Sequence, residues 1–469
     1  MRSEQSQTSH RSFVASLFGA DRKEAETLIA TAVKTIDDCS TINALDVEWL
    51  CAHSRTVERL LLTRGKQLSE PEKVLLFVVQ KSKFLTGKRL EEVQAKLNGL
   101  LASVERGEDP KEEQRLTLPQ VRTLDGFVHH LTSRTVTKTG AINYKNNELL
   151  VAVLTNIADG TNMSAWIKGF AATALLASKA FIELEHHVFP AGAYGDGLAR
   201  ISFILNSRLR GMGVGRFAHL TAGEIGHVEI SFNGQEMAGV EDQGRVCRVF
   251  GLKELAQTSF FALDFEKLIS EDGEAADLLR LLKRSRPDVD VRALFRSNLE
   301  LLLQNDYGFR VTTFGVIFNF LLWLYNFLVS IFRSSPSFHT PISEHFAVDD
   351  SGNVRRNFAD GYEFKERSAI CSGYIATVIA EALRLTDECL KAIASKCQGL
   401  TDKQRALVRS LEFSFAKPLF RKGTRFESVS PKLIHETLAR VGALGESPEG
   451  RELEKFVVMP KDPSLPASA

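Results

Sequence analysis

The stretch ICSGYIATVIAEALRL, from Ile370 to Leu385, combines an amphipathic pattern with a cysteine at its start. Cys371 would lie in the first helical turn, where unpaired N–H groups and the helix dipole favour a thiolate and can hold an oxyanion. Ser372 and Gly373 are small enough to let a substrate approach. The alternative is a cysteine that only fills a core. The helix itself is predicted by apolar residues at helical spacing, namely Tyr374, Ile375, Val378, Ala382 and Leu385.

The composition is that of a globular protein with little net charge. The chain has 469 residues, of which 44% are hydrophobic and 25% charged, enough for two or three domains with sizeable cores. Lys and Arg number 59 against 58 Asp and Glu, so the formal net charge is +1. No global field would recruit nucleic acid, and we expect no nucleic-acid partner.

The cysteines lack the spacing of metal ligands, which predicts reduced thiols and neither a disulfide framework nor a zinc site. The adjacent pairs His129–His130 and His186–His187 would point in different directions on a helix, so we expect no metal or organic cofactor. The polar residues 1–12 predict an intracellular protein without a secretory signal peptide, while export by a dedicated secretion system stays open. The six cysteines are Cys39, Cys51, Cys247, Cys371, Cys389 and Cys397.

Four parts follow from the pattern along the chain. Residues 1–20 are predicted to be a disordered leader, and residues 21–190 a helical domain. Residues 191–399 form a mixed core with an apolar helical insert at 271–340, and residues 400–469 form C-terminal helices and a disordered tail. The predicted helices are Ala25–Ile36, Ile42–Leu62, Pro71–Leu85, Leu90–Val104, Leu118–Leu131, Asn147–Ala158, Ser164–His187, Asp402–Phe415 and Pro431–Val441.

The strongest β signal is IGHVEISFNGQEMAGVEDQGRVCRVF, residues 225–250. Val228, Ile230 and Phe232 alternate with His227, Glu229 and Ser231, and Asn233-Gly234 favours a hairpin turn. One face of this strand is predicted to be core, with His227 on the other. A histidine there is by default a satisfied surface or core residue. It becomes a candidate base because a thiolate enzyme needs an imidazole to exchange the thiol proton.

The returning strand supplies the polar groups that could orient the imidazole: Glu241, Asp242 and Gln243. A two-residue loop at Asn233-Gly234 would place Val240 opposite His227 and Asp242 on the diagonal. A three-residue loop or one bulge would bring Glu241 to the imidazole side. The sequence leaves both registers open.

The segments GHVEI, VEDQG and ICSGYIATVI, in this order, resemble the circularly permuted branch of papain-like, NlpC-type cysteine hydrolases, which includes YiiX-like proteins and lecithin:retinol acyltransferase. The resemblance covers roughly residues 198–255 and 362–385. It implies an α+β protein in which an antiparallel sheet packs against the cysteine helix, beyond a helical N-terminal domain. It also implies a thiol hydrolase or acyltransferase acting on a peptide, amide or lipid substrate. Cys371 would be the nucleophile, His227 the base, and Glu241, or alternatively Asp242, the orienting acid.

Inside the insert, Val311 to Phe332 carries no charge and has the ~20-residue length that spans a bilayer. A single span would put His227 and Cys371 on opposite sides of the membrane. If the two residues form one site, three readings remain: membrane contact through an interfacial or re-entrant helix pair, a cover over an apolar groove, or a core helix.

Other residues offer rival assignments. His339 and His345 are rival bases, and Tyr362 could reach the oxyanion site or be a surface residue. A further hairpin is predicted around Ser351-Gly352. The rival class of function is a non-catalytic, membrane-associated or scaffold protein with a vestigial core.

Overall fold

The structure is a computed structural model in which the chain forms two compact units. One comprises residues 1–135, 143–188 and 454–469, and the other residues 136–142 and 189–453. The chain is mixed α+β. The residues described are 22–38, 42–63, 67–82, 88–137, 141–190, 198–205, 225–231, 233–241, 243–264, 267, 274–311, 340–368, 371–398, 400–410 and 429–459.

The first unit is built mainly from amphipathic helices, as the apolar spacing predicts. One prediction was merged: Ile42–Leu62 is two helices that meet at His53. Phe127 packs edge-on against Phe77 and Phe170 in the core between helices. The helices span residues 22–37, Ala44–Ala52, Ser54–Leu62, Glu70–Lys81, Lys88–Arg106, Leu118–Leu131, Glu148–Asp159 and Ala165–Val188.

This part of the chain also contains strands that the helical prediction missed. β1 (Leu116–Thr117) pairs in parallel with β14 (Val457–Val458), and β2 (Thr132–Val136) pairs with β3 (Ile142–Asn146). Buried charges hold the second pair in place, since Arg134 lies 3.2 Å from Asp125 and 2.8 Å from Glu185. The hydroxyl of Tyr144 donates to the same Glu185 at 2.7 Å. These side chains hold β2 and β3 against the helices.

Among the described residues, one helix, Ala165–Val188, is long and apolar enough to cross a membrane. Half of its most apolar stretch is buried inside the protein, which is what the core helix of a globular unit also looks like.

The second unit is organised around a six-stranded antiparallel sheet in the order β13-β8-β4-β5-β6-β7. Its core face carries Phe203, Val228 and Val240, which pack with the cysteine helix. The strands are β4 (Ala199–Leu205), β5 (Ile225–Ser231), β6 (Glu236–Glu241), β7 (Gly244–Val249), β8 (Ser259–Leu263) and β13 (Leu444–Glu446).

The turn between β5 and β6 settles the register that the sequence left open. Ile230 pairs with Ala238 and not with Met237, so the connection is one residue longer than a two-residue loop. Asn233 Oδ1 accepts the backbone N–H of Glu236 at 2.8 Å, and Ser231 Oγ accepts that of Gly234 at 2.7 Å. Gly234 has a φ of +78°, which an L side chain rarely adopts. This longer turn fixes which face each β6 residue occupies.

The cysteine helix, Cys371–Ser395, is buried along most of its length and covers the core face of the sheet. A second helix, Val291–Leu303, packs on it, with Asn298 donating to Thr386 at 3.0 Å. The remaining helices of this unit are Leu252–Gln257, Glu274–Ser285, Asp402–Ser410, Pro431–Arg440 and Pro448–Phe456.

The predicted hairpin around Ser351-Gly352 is confirmed, with β10 (Phe346–Val348) antiparallel to β11 (Val354–Arg356). A further short pair joins β9 (Phe309–Arg310) in parallel to β12 (Arg367–Ser368). The apolar stretch Val311 to Phe332 lies outside the described residues apart from Val311, whose N–H donates to the carbonyl of Glu241 at 3.0 Å. The predicted leader and the end of the tail also lie outside them. The C-terminal part, predicted as helices, also supplies β13 to the sheet.

Candidate active site

Cys371 occupies the first position of the cysteine helix, as the sequence predicts, and is 8% exposed. Its helix is fixed at this end because Ser372 donates its hydroxyl to the carbonyl of Val429 at 2.5 Å. Backbone N–H groups of Val228 and Ser372 face the sulfur. The thiol therefore lies between the helix start and β5, with donors that favour its anionic form.

His227 lies on β5 beside a bulge, where the pairing with β4 shifts between Ile204 and Leu205. Its side chain is 15% exposed, and its imidazole is hydrogen-bonded to the thiol of Cys371. The fold therefore brings together a sulfur and an imidazole that lie far apart in the sequence. The two residues that the motifs singled out form one buried dyad.

The carboxylate that supports the imidazole is Glu229, two residues after His227 on the same strand. Glu229 Oε1 accepts from His227 Nε2 at 3.2 Å, and the side chain is almost fully buried. Residues i and i+2 of a strand share a face, so the backbone itself presents this acid to the ring. A Cys–His–Glu constellation results.

Arg248 of β7 completes the charge balance. Its Nε donates to Glu229 Oε1 at 2.7 Å, and its Nη2 also bonds the same oxygen. Gly239 of β6 lies between them: a Cβ at this position would come within 3.2 Å of Glu229 Cγ. The absence of a side chain there leaves the space that the Glu229 side chain occupies.

The pKa values of the dyad are displaced in opposite directions. Burial opposes the charged form of His227, but the Cys371 thiolate and the Glu229 carboxylate outweigh it and raise the pKa to about 10. Burial likewise opposes the Cys371 thiolate, whereas the His227 charge, its hydrogen bond and the two backbone donors lower the pKa of that thiol. The site favours a thiolate–imidazolium pair.

One prediction about the orienting acid needs correction. Glu241 is 48% exposed and, among the described side chains, reaches only Arg248, at 3.9 Å, whereas the acid bonded to the imidazole is Glu229. Asp242 lies outside the described residues. Glu229 is buried because both faces of the sheet are covered. On the face that carries Glu229, Phe260 of β8 lies opposite Ser202 of β4 and stacks on Phe250. The face predicted to lie away from the core is therefore also covered.

The residues that offered rival assignments lie away from the Cys371–His227 pair or outside the described residues. His345 lies among aromatic rings, 4.9 Å from Phe364 and 6.0 Å from both Phe358 and Tyr362. Tyr362 is exposed, in keeping with a surface residue. His339 lies outside the described residues. No disulfide joins the five described cysteines, and no described group of three or more His, Cys, Asp or Glu side chains could hold a metal ion.

No family model, no curated protein and no solved structure matches this chain. Sequence reasoning found Cys371 and His227 but missed Glu229 and Arg248. The signal for Glu229 was present, since a carboxylate two residues from a histidine, inside an apolar strand, must share the histidine's face. Arg248 carried no such signal, because its contact depends on the pairing of three strands.

Proposed function

We propose that this chain is a thiol-dependent hydrolase or acyltransferase built on a circularly permuted papain-like core. The observation that carries the proposal is the hydrogen-bonded Cys371–His227 dyad with Glu229 behind the ring. Two further observations support it: the histidine strand precedes the cysteine helix in the chain, and the antiparallel sheet packs against that helix.

The chemistry assigned to these residues is acyl transfer. The Cys371 thiolate attacks the carbonyl carbon of an amide or ester and forms a C–S bond, while the carbonyl oxygen becomes an oxyanion near the N–H groups of the helix start. The His227 imidazolium then gives its proton to the leaving nitrogen or oxygen, and the bond to the leaving group breaks.

Turnover needs a second nucleophile. The neutral imidazole takes a proton from water or from an acceptor alcohol or amine, whose oxygen or nitrogen attacks the thioester and releases the thiolate. Glu229 holds Nε2, which leaves Nδ1 to exchange protons at the sulfur. Peptides, other amides and lipid esters all contain the carbonyl group that this cycle requires.

Iodoacetamide tests the proposal, because Cys247 provides an internal comparison. Cys247 is an exposed residue whose thiol is partly desolvated by its neighbours, which raises its pKa, whereas Cys371 is buried with a lowered pKa. At pH 6 we expect Cys371 to be alkylated well ahead of Cys247, because only a thiolate reacts. Peptide mapping by mass spectrometry measures the rate at each cysteine.

The matched variant is His227→Asn, which removes the titrating ring and should slow the alkylation of Cys371 at pH 6 by at least about tenfold, while Cys247 keeps its rate. Equal labelling of all cysteines in the native chain would refute the thiolate and favour a scaffold protein with a vestigial core.

The substrate class is open to a second experiment. A lipid acylhydrolase that uses Val311 to Phe332 for membrane contact should lose activity on vesicles, but not on soluble esters, when this stretch is replaced by a polar linker. A peptidase should tolerate the replacement on peptide substrates.

A further inference from the structure

Arg245 of β7 lies beside the thiol of Cys247 and the hydroxyl of Tyr374. It pairs with Val240, so its side chain is on the face of the sheet that the cysteine helix covers. In the part of the chain that the structure describes, no carboxylate lies within ion-pair distance of Arg245. Its Nε atom is buried without a hydrogen-bond partner. By contrast, Arg248, three residues on, faces the other side and is fully engaged by Glu229.

Tyr374 of the cysteine helix is the second polar group. Its side chain is completely buried, and among the described residues only the neighbouring Arg245 guanidinium faces its hydroxyl as a hydrogen-bond partner. The ring packs edge-on against Phe309 at 5.7 Å, which fixes its direction. Burial raises the pKa of this hydroxyl, and the neighbouring Arg245 guanidinium opposes that effect. The two polar groups therefore face the same small region.

Unpaired buried donors of this kind are uncommon, because burial removes the water that would otherwise satisfy them. A guanidinium and a phenol both offer N–H or O–H hydrogens, and together they suit an oxygen that carries negative charge. An acceptor supplied by a ligand would satisfy both donors. The surrounding apolar side chains would strengthen the attraction, since little water screens it.

This region lies close to the nucleophile along the helix. Tyr374 follows Cys371 by three residues, a spacing that places two side chains next to each other on one helix face. A molecule whose carbonyl carbon sits at the Cys371 sulfur could therefore extend an attached group toward Arg245. Cβ atoms at this spacing lie about 5–6 Å apart, which a group separated from the carbonyl by a few bonds can span.

We infer that Arg245 and Tyr374 form a subsite for an anionic group of the substrate, so that the preferred acyl donors carry a carboxylate near the scissile carbonyl. This inference rests on the proposed function, because it assigns the substrate class of the same thiol. Arg245 would be a specificity-determining residue that binds the carboxylate, and Tyr374 would donate a second hydrogen bond to it.

A matched pair of thiol reagents tests the inference. N-iodoacetylglycine and N-iodoacetylglycinamide differ only in having a terminal carboxylate or a neutral amide. We expect the acid to alkylate Cys371 of the native chain with saturation, and at least tenfold faster than the amide at low concentration. Peptide mapping reports the rate at Cys371 alone, and Cys247 is not used as the comparison here because its thiol lies beside Arg245.

Variants separate the subsite from general attraction by the His227 charge. Arg245→Gln should abolish the preference for the acid while leaving the amide rate within about twofold, which also shows that the dyad is intact. Tyr374→Phe should weaken the preference and keep the ring contact with Phe309. Arg355→Gln removes the same charge from an exposed residue paired with Asp349 and should leave the preference unchanged.

The outcomes distinguish the two claims. A preference for the acid that persists in Arg245→Gln would overturn the subsite and leave the thiolate proposal standing. A Cys371 that reacts no faster than Cys247 with iodoacetamide would overturn the proposed function, and the subsite with it. Loss of the acid preference in Arg245→Gln, with the amide rate retained, would support both.

Discussion

At Glu229 a single carboxylate oxygen serves two cations. Oε1 accepts from the His227 ring at 3.2 Å and from Arg248 Nε at 2.7 Å. Burial alone would raise the pKa of this acid, but the two cations lower it. The carboxylate therefore stays charged and holds the imidazole in one orientation, the part that a third group plays in thiolate enzymes.

Glu229→Gln tests this role with little change of shape. The hydrogen bond and the charge of Glu229 both raise the pKa of His227, so the variant should lower that pKa and move the loss of the imidazolium to lower pH. We expect the turnover rate to fall on the order of 10²-fold. The pH profile of iodoacetamide alkylation at Cys371 measures the shift.

Glu241→Gln is the control for that variant, because Glu241 is the acid that the sequence favoured. Its exposed side chain reaches only Arg248, so the variant should keep a nearly native rate and pH profile. A profile that shifts in Glu241→Gln, but not in Glu229→Gln, would return the orienting role to Glu241.

Among the elements, β6 shapes the site because its residue 239 is a glycine, which has no side chain. A Cβ at residue 239 would lie 3.2 Å from Glu229 Cγ and 3.3 Å from its Oε1, closer than ordinary contact. Gly239→Ala should therefore displace the carboxylate by a few tenths of an ångström and slow alkylation of Cys371 several-fold. The backbone of a strand accepts alanine readily, so the free energy of unfolding should change by less than about 1 kcal/mol.

Gly445→Ala provides the matched substitution in the same sheet. Its Cβ would meet the carbonyl of Ala262 at 3.5 Å, an ordinary contact. We expect native alkylation kinetics from this variant. If Gly239→Ala and Gly445→Ala react alike, the glycine opposite Glu229 has no part in positioning the acid.

The cysteine helix carries a buried acid that anchors the chain after the apolar insert. Glu381 accepts from Thr340 at 2.7 Å and from Ser343 at 2.8 Å, and Arg384 also pairs with it. Glu381→Ala should reduce the free energy of unfolding by about 2 to 4 kcal/mol, because the buried hydroxyl of Thr340, the hydroxyl of Ser343 and the Arg384 guanidinium each lose a charged acceptor. Urea unfolding measures the loss.

Glu388→Gln is the comparison on the same helix. Glu388 pairs with the same Arg384 but its side chain is 39% exposed, so its removal should cost less than about 1 kcal/mol. Equal losses from the two variants would mean that Glu381 contributes no more than a surface ion pair.

On the scale of the whole molecule, contacts between distant parts of the sequence close the second unit. Arg200 on β4 is buried and paired with Glu449 at 3.1 Å, near the start of the helix Pro448–Phe456. A buried charge that loses its partner is costly. This pair fixes the C-terminal segment, including β13, to the sheet.

Glu449→Ala should therefore lower the free energy of unfolding by about 3 to 5 kcal/mol, and Arg200→Met combined with Glu449→Leu should recover much of that loss. Glu446→Gln, which breaks an exposed pair with Arg451, should change it by less than about 1 kcal/mol. Guanidinium unfolding compares the variants. A double variant no more stable than Glu449→Ala would contradict the argument.

The sequence by itself determined the helices, the strand that carries His227 and the helix start that carries Cys371, because helical and strand periods are local properties of the chain. Only the tertiary structure decided the partners. One extra residue in the turn at Asn233 changes the face of every β6 residue, and a local pattern cannot count that residue. Glu229, Arg248 and Gly239 acquire their roles from the pairing of three strands. Because both faces of the sheet are covered, the buried Glu229, held between two cations, supports the imidazole, and the exposed Glu241 does not.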